Sequence, residues 1–171
     1  MKMSDSRVIA AEPSVVWAAL LDPEVLKACV PGCEEMSGSP QEGFEATVVQ
    51  KVGPVKATFK GQVSLQDRVP PESLTISGEG KGGAAGFAKG GAKCTLTEAD
   101  GVTTLTYDVE AKVGGKLAQL GSRIIDGFAK KTADDFFTRF KDALEPPAEG
   151  EEAPASDDAP KKGWFRRMMS S

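Results

Sequence analysis

Residues 78–93, GEGKGGAAGFAKGGAK, hold seven glycines in sixteen positions, and the reading of this run decides the fold. Gly78, Gly80 and Gly83 spell G-x-G-x-x-G, the fingerprint of a dinucleotide site. Such a site needs its glycines between a strand and the N-terminus of a helix, inside a parallel βαβ unit. Here SLTISGEG leads in with a period of two, and GAKCTLTEA leads out with the same period. Downstream of the run no helical period begins before Gly115, and G-x-x-x-x-G-K-[ST] does not occur in it. The run therefore reads as the connection between two antiparallel strands. Gly78 and Gly80, on the inward face, make room for a backbone, a bulge or a ligand. Phe87, within the connection, is a candidate flap or plug.

The alternation extends outward on both sides. In ATFKGQVSLQ, Phe59, Gly61, Val63 and Leu65 share one face, while Thr58, Lys60, Gln62, Ser64 and Gln66 share the other. That is the pattern of a half-buried antiparallel strand. Leu74/Ile76/Gly78, Ala92/Cys94/Leu96 and Leu105/Tyr107/Val109/Ala111/Val113 repeat it. Gly53-Pro54, Pro70-Pro71 and Asp100-Gly101 separate the runs, the last as a hairpin turn. Upstream, a first strand is expected near Arg7–Ala11. Two short helices follow, one opened by Pro13 and carrying Trp17, the other opened by Asp22-Pro23 and ended by Pro31-Gly32.

The period changes once more at Gly115. Apolar residues then recur at Leu117, Leu120, Ile124, Phe128, Phe136, Phe140 and Leu144, ahead of Pro146 and Pro147. This predicts one amphipathic helix of about 45 Å. The expected fold is α+β: a curved antiparallel sheet of about seven strands wrapped around a long C-terminal helix, with two short N-terminal helices. This is the helix-grip arrangement. One helix does not fill such a groove, so a cavity between helix and sheet is expected. Its candidate lining is Trp17, Phe59, Val63, Gly78, Gly80, Phe87, Tyr107, Leu117, Leu120, Ile124 and Phe128.

Composition narrows the chemistry. The 171 residues include no histidine, which removes Ser-His-Asp and Cys-His catalysis, three-His zinc and the histidine proton shuttle. No metal site and no catalytic residue is expected. Cys29, Cys33 and Cys94 show no C-x-x-C spacing and read as small apolar residues in a reducing compartment. Glu12 and Pro13 interrupt the N-terminal apolar stretch, so no signal peptide is expected and the protein is placed in the cytoplasm.

Charge divides the chain into a domain, a linker and a tail. Residues 1–144 carry 17 basic and 19 acidic side chains; residues 145–160 carry six acids, four prolines and no base. The second segment reads as a disordered linker. Residues 161–171, KKGWFRRMMSS, carry four bases and no acid. On a helix, Trp164, Phe165, Met168 and Met169 fall on one side and Arg166 and Arg167 on the other, with Lys161 and Lys162 leading in. That reads as an interfacial anchor for the inner face of the cytoplasmic membrane, each base adding about 1 kcal/mol at an anionic surface. The other reading is a frayed end that packs on the domain or on a protein partner.

The runs DPEVLKACVPGCE, KVGPVKATFKGQVSL, ISGEGKGGAAGFAKGGAKCTL and VGGKLAQLGSRIIDGFAKKTADDFF are similar to the carbon monoxide dehydrogenase G-subunit family, of the START-like (SRPBCC) superfamily. The resemblance covers residues 1–144. It implies a non-catalytic companion of an aerobic molybdenum hydroxylase such as carbon monoxide dehydrogenase, attaching that enzyme to the membrane. It also implies a bound quinone, ubiquinone or menaquinone, with no covalent cofactor and no nucleic acid. Two alternatives stay open. One is a recruitment protein that carries no ligand. The other is an enzyme, since START-like domains include cyclases; Glu79, Tyr107, Asp108 and Glu110 are then the available acid–base groups.

Overall fold

The computed structural model describes residues 1–145. Seven strands form one antiparallel sheet: β1 (Lys2–Ile9), β2 (Cys33–Ser39), β3 (Gly43–Val52), β4 (Val55–Val69), β5 (Ser73–Lys81), β6 (Phe87–Ala99) and β7 (Val102–Gly114). Their order is β1-β7-β6-β5-β4-β3-β2, so β2 to β7 form a meander and β1 closes its far edge. The meander follows from its turns. At Asp100 (φ 55°) and Gly101 (φ 78°) both residues are left-handed, the twin geometry that matches the twist of the flanking strands.

The glycine-rich run is a hairpin connection. β5 ends at Lys81, a single 3₁₀ turn covers Gly83–Ala85, and β6 starts at Phe87. A strand rather than a helix follows these glycines, so the strand–helix junction of a dinucleotide site is not formed here.

Helices α1 (Pro13–Leu20) and α2 (Pro23–Cys29) lie between β1 and β2, each with proline in its first turn. Asp22 caps α2 by accepting the Glu24 backbone N–H at 2.9 Å, which leaves one less orphan donor. The first strand starts five residues earlier than its sequence signal. Lys2, Ser4, Asp5 and Ser6 give this edge strand little apolar content to read.

The long helix also differs from its expectation. It is two pieces, α3 (Lys116–Gln119) and α4 (Ser122–Leu144). Gly121 between them has φ 91° and ψ 157°, a backbone region that side-chain-bearing residues rarely adopt. The 23 residues of α4 span about 34 Å rather than 45 Å. Because the helix restarts at Ser122, its apolar face has a new phase, set by Ile125 rather than Ile124. The tail at 161–171 and all of the linker except Glu145 lie outside the described residues. Glu145 itself holds the end of α4 to the sheet side, accepting the Ala10 N–H at 3.0 Å.

Two apolar clusters form under α4. The larger joins its C-terminal half to α1, α2 and the sheet through Phe137, Phe140, Leu144, Val16, Leu20, Val25, Leu74 and Leu105. The smaller lies at the other end, around Val52, Leu117 and Ile125, with Val55, Leu120 and Phe128 against it. The two do not merge. What separates them is the site.

Candidate ligand cavity

Between the clusters lies a cavity of about 620 Å³. Its emptiness starts in the strand register. Ala46, Gly61, Gly80 and Ala88 stand side by side across β3 to β6, and Gly78, Gly90 and Ala111 stand side by side across β5 to β7. All lie on the inward face at mid-sheet, where side chains would otherwise meet the helix. At Gly80 an added Cβ would have nothing nearer than Phe59 Cβ at 3.9 Å. Gly80 thus leaves volume open at the centre of the core, whereas an added Cβ at Gly90 would collide with the Glu110 carbonyl oxygen, so Gly90 serves the close approach of β7.

Larger side chains form the walls. From the sheet come Phe44, Val48, Phe59, Val63, Leu65, Ile76, Val109 and Val113; from α4 come Ile125, Phe128, Ala129, Thr132, Ala133, Phe136 and Phe137. Leu26, Val30, Pro31 and Met36 close the side next to α2 and β2, and Met1 and Met3 contribute from β1. Gln50 lines this side too, donating through Nε2 to the Pro31 carbonyl at 2.5 Å and tying the α2–β2 connection to β3.

Of the residues singled out in the sequence, Phe59, Val63, Gly80, Tyr107, Leu117 and Phe128 are in the wall. Five are elsewhere, each for a local reason. Trp17, on α1, is part-buried against the larger cluster. Gly78 faces inward, but its place is taken by Val63, whose Cγ2 would be 3.3 Å from an added Cβ. Phe87 is neither flap nor plug. It is 45% exposed on the outward face, with its ring against Gly114. Leu120 packs behind the wall in the smaller cluster. Ile124 is 40% exposed and meets the β3–β4 turn at Gly53, because the break at Gly121 turned it away. The residues that sequence reading missed had readable signals in part. Gln50 shares inward parity with Phe44, Ala46 and Val48, and Ile125, Thr132 and Phe136 follow helical spacing once the break is known.

One polar cluster borders the cavity. Arg7, on the inward side of edge strand β1, donates to Asp134 of α4 at 2.6 Å and to the Tyr107 hydroxyl at 3.1 Å. Its guanidinium sits 5.1 Å from the centre of the Phe137 ring, a cation–π distance. Tyr107 and Phe137 stack at 5.3 Å. Hydrogen bonds from Arg7 and then from Lys130 hold the Asp134 carboxyl below the usual carboxylate range. This bridge fastens the helix to the open edge of the sheet. Asp108 and Glu110 point outward, away from Tyr107.

The cysteines are unreactive by environment. Burial pushes Cys29 and Cys94 up to about 11, and burial raises Cys33 as well. Their thiols stay protonated near neutrality. Among the described residues no helix is long and apolar enough to cross a membrane.

A seven-stranded antiparallel sheet gripping a C-terminal helix over an apolar cavity defines a helix-grip, START-like protein. Solved structures agree. A conserved protein of Geobacillus kaustophilus is 30% identical, covers 82% of this chain and 93% of its own, and superposes with a TM-score of 0.77. A Chromobacterium violaceum protein shares 17% identity over 86% of this chain and 99% of its own, TM-score 0.63. A Mycobacterium smegmatis protein also shares 17%, over 86% and 93%, TM-score 0.62. At these lower identities the likeness is one of fold. The chain belongs to the carbon monoxide dehydrogenase G-subunit (CoxG) family, which matches residues 6–145. Membership supports an accessory role. No curated protein matches the chain.

Proposed function

We propose that this protein is a non-catalytic carrier. It holds a quinone-like lipid between α4 and the sheet, and links a molybdenum hydroxylase of the carbon monoxide dehydrogenase type to the quinone pool of the membrane. The observation that carries this reading is the cavity itself: about 620 Å³ with an almost wholly apolar lining, in a family named for that enzyme. Its volume suits a small organic ligand. Tyr107 is the group best placed to orient one. Its hydroxyl accepts from Arg7 and keeps its own hydrogen to offer to a ligand carbonyl, while the apolar walls hold the ring and tail. Among the described residues, Glu79, Asp108 and Glu110 stand on the outward face, away from Tyr107 and the cavity, which supports carriage over the acid–base alternative.

The test is mass spectrometry of organic extracts from the full-length protein and from a variant lacking 161–171, both purified from cells with native membranes. Near-stoichiometric quinone is expected in the full-length sample, with less in the shortened one if the tail collects ligand. Equal loading would keep the carrier and leave the tail as an anchor. A cavity still empty after incubation with quinone-loaded vesicles would favour the other reading, recruitment of the enzyme without a ligand.

A further inference from the structure

The outward face of the sheet carries charges in an uneven pattern. Of six charged pairs directly opposite one another on neighbouring strands, three are complementary: Lys2 with Glu110, Glu79 with Lys89, and Lys93 with Asp108. The other three are alike: Lys51 opposite Lys56, Lys60 opposite Lys81, and Lys89 opposite Lys112. Like charges placed directly across a sheet are destabilising. All six lysines are exposed and point outward, and among the described residues none is in an ion pair. Glu79, opposite Lys89, is their nearest acidic cross-strand neighbour; Glu110, two residues from Lys112, is bridged instead to Lys2 at 3.3 Å.

The three pairs lie towards one end of the molecule. That end is made by the β3–β4 turn, which meets the start of α4 at Gly53 and Ile124, and by the glycine-rich connection, which meets the start of α3 at Gly86 and Gly115. The same end exposes two large apolar side chains. Phe87 stands beside Lys81 in the register, and Ile124 adjoins the turn that separates Lys51 from Lys56. Repelling lysines around an exposed aromatic form an unfavourable surface for a protein free in water. They form a favourable one against an anionic, partly apolar surface, where bases gain attraction and the ring enters the interface.

We infer that this end of the folded domain is a docking face for an anionic lipid bilayer, with Phe87 entering the headgroup region. A bilayer suits it better than an acidic protein because bases and apolar side chains are spread over several elements, and the one concavity that Lys60 and Lys81 border also holds Glu35, Glu45 and Glu79, which would repel an acidic segment seated there. The tail KKGWFRRMMSS repeats the same pairing of bases with aromatics. Docked this way, the domain sets its smaller apolar cluster, the end wall of the cavity at Val52, Leu117 and Ile125, towards the membrane. The inference rests on the membrane part of the proposed function and is independent of what the cavity holds.

The experiment uses the full chain with Trp17→Phe and Trp164→Phe, so that Phe87→Trp supplies the only indole. Phosphatidylcholine vesicles with phosphatidylglycerol are expected to shift its emission to shorter wavelength, and phosphatidylcholine alone is not. In the chain with its native tryptophans, Lys60→Gln with Lys81→Gln is expected to lower affinity for the anionic vesicles about thirtyfold at low salt, each charge being worth about a fivefold factor. If the protein sediments with anionic vesicles while the emission is unmoved, contact runs through other segments and the inference is overturned. An emission shift on adding purified carbon monoxide dehydrogenase, with none on adding vesicles, would assign the face to a protein and overturn it equally. Quinone in the extracts is read separately, so failure of this inference and failure of the carrier reading are distinguishable.

Discussion

The two ends of α4 bury its apolar face in different ways. Towards Leu144, Phe136, Phe137 and Phe140 pack as an aromatic ladder, with neighbouring ring centres 5.0 to 6.2 Å apart, onto α1, α2 and strands β5 to β7. Towards Ser122, Ile125 and Phe128 meet only the smaller cluster, then open space. One end is a core, and the other is a wall. A single amphipathic stripe thus divides its work: Phe140 and Leu144 supply buried core, Ile125 and Phe128 supply wall, and Phe136 and Phe137 serve both.

The largest expected effect tests that division directly. Phe140 is fully buried, so Phe140→Ala should cost about 3–5 kcal/mol, the range for deleting a core aromatic. Ile125→Ala, at a wall that already faces a void, should cost about 2 kcal/mol, the low end for truncating a core aliphatic. Urea denaturation of both variants measures this, and equal losses would break the comparison.

A second experiment sharpens it from the cavity side. Ala88→Phe adds a ring in the inward row of small residues, so the folded protein should stay within about 1 kcal/mol of the parent while quinone loading falls at least tenfold. The same substitution in a filled core would cost about 1–3 kcal/mol by overpacking. Unchanged loading in a folded variant would remove the cavity from the function.

The smallest effect concerns the bridge that fastens α4 to β1. Asp134 is held below its ordinary range of about 3.8, so its ionised form is favoured in the folded state. Its contribution is present above that ordinary value and is lost as pH falls through the lower folded value. Asp134→Asn should therefore lower the urea midpoint slightly at pH 7, with the deficit shrinking as pH falls below about 3.8. A deficit that did not shrink on acidification would mean that packing, not charge, is what Asp134 supplies.

Most of the sheet was legible because a half-buried antiparallel strand repeats every two residues, as Phe59, Gly61, Val63 and Leu65 do. The glycines of residues 78–93 could be taken from a nucleotide site to a hairpin for the same reason, since period two continues on both sides of them. The cavity was legible as an expectation, and part of its wall by parity. Ile124 shows the limit. One glycine at position 121 resets the helical phase, and whether a glycine bends or merely sits in a helix is settled by what the chain packs against. Phe87 shows another. Parity assigns it to a face only after the strand start is known, and the 3₁₀ turn at Gly83–Ala85 determines that start.

The sequence by itself determined the order of elements, the absence of histidine chemistry and the inward row of small residues, because each is local or compositional. That the apolar residues form two clusters with a space between them follows from packing alone. The strand register alone set three pairs of lysines opposite one another, with Phe87 beside Lys81. Both depend on pairings between residues distant in the chain, and neither local period nor composition records which strand position faces which.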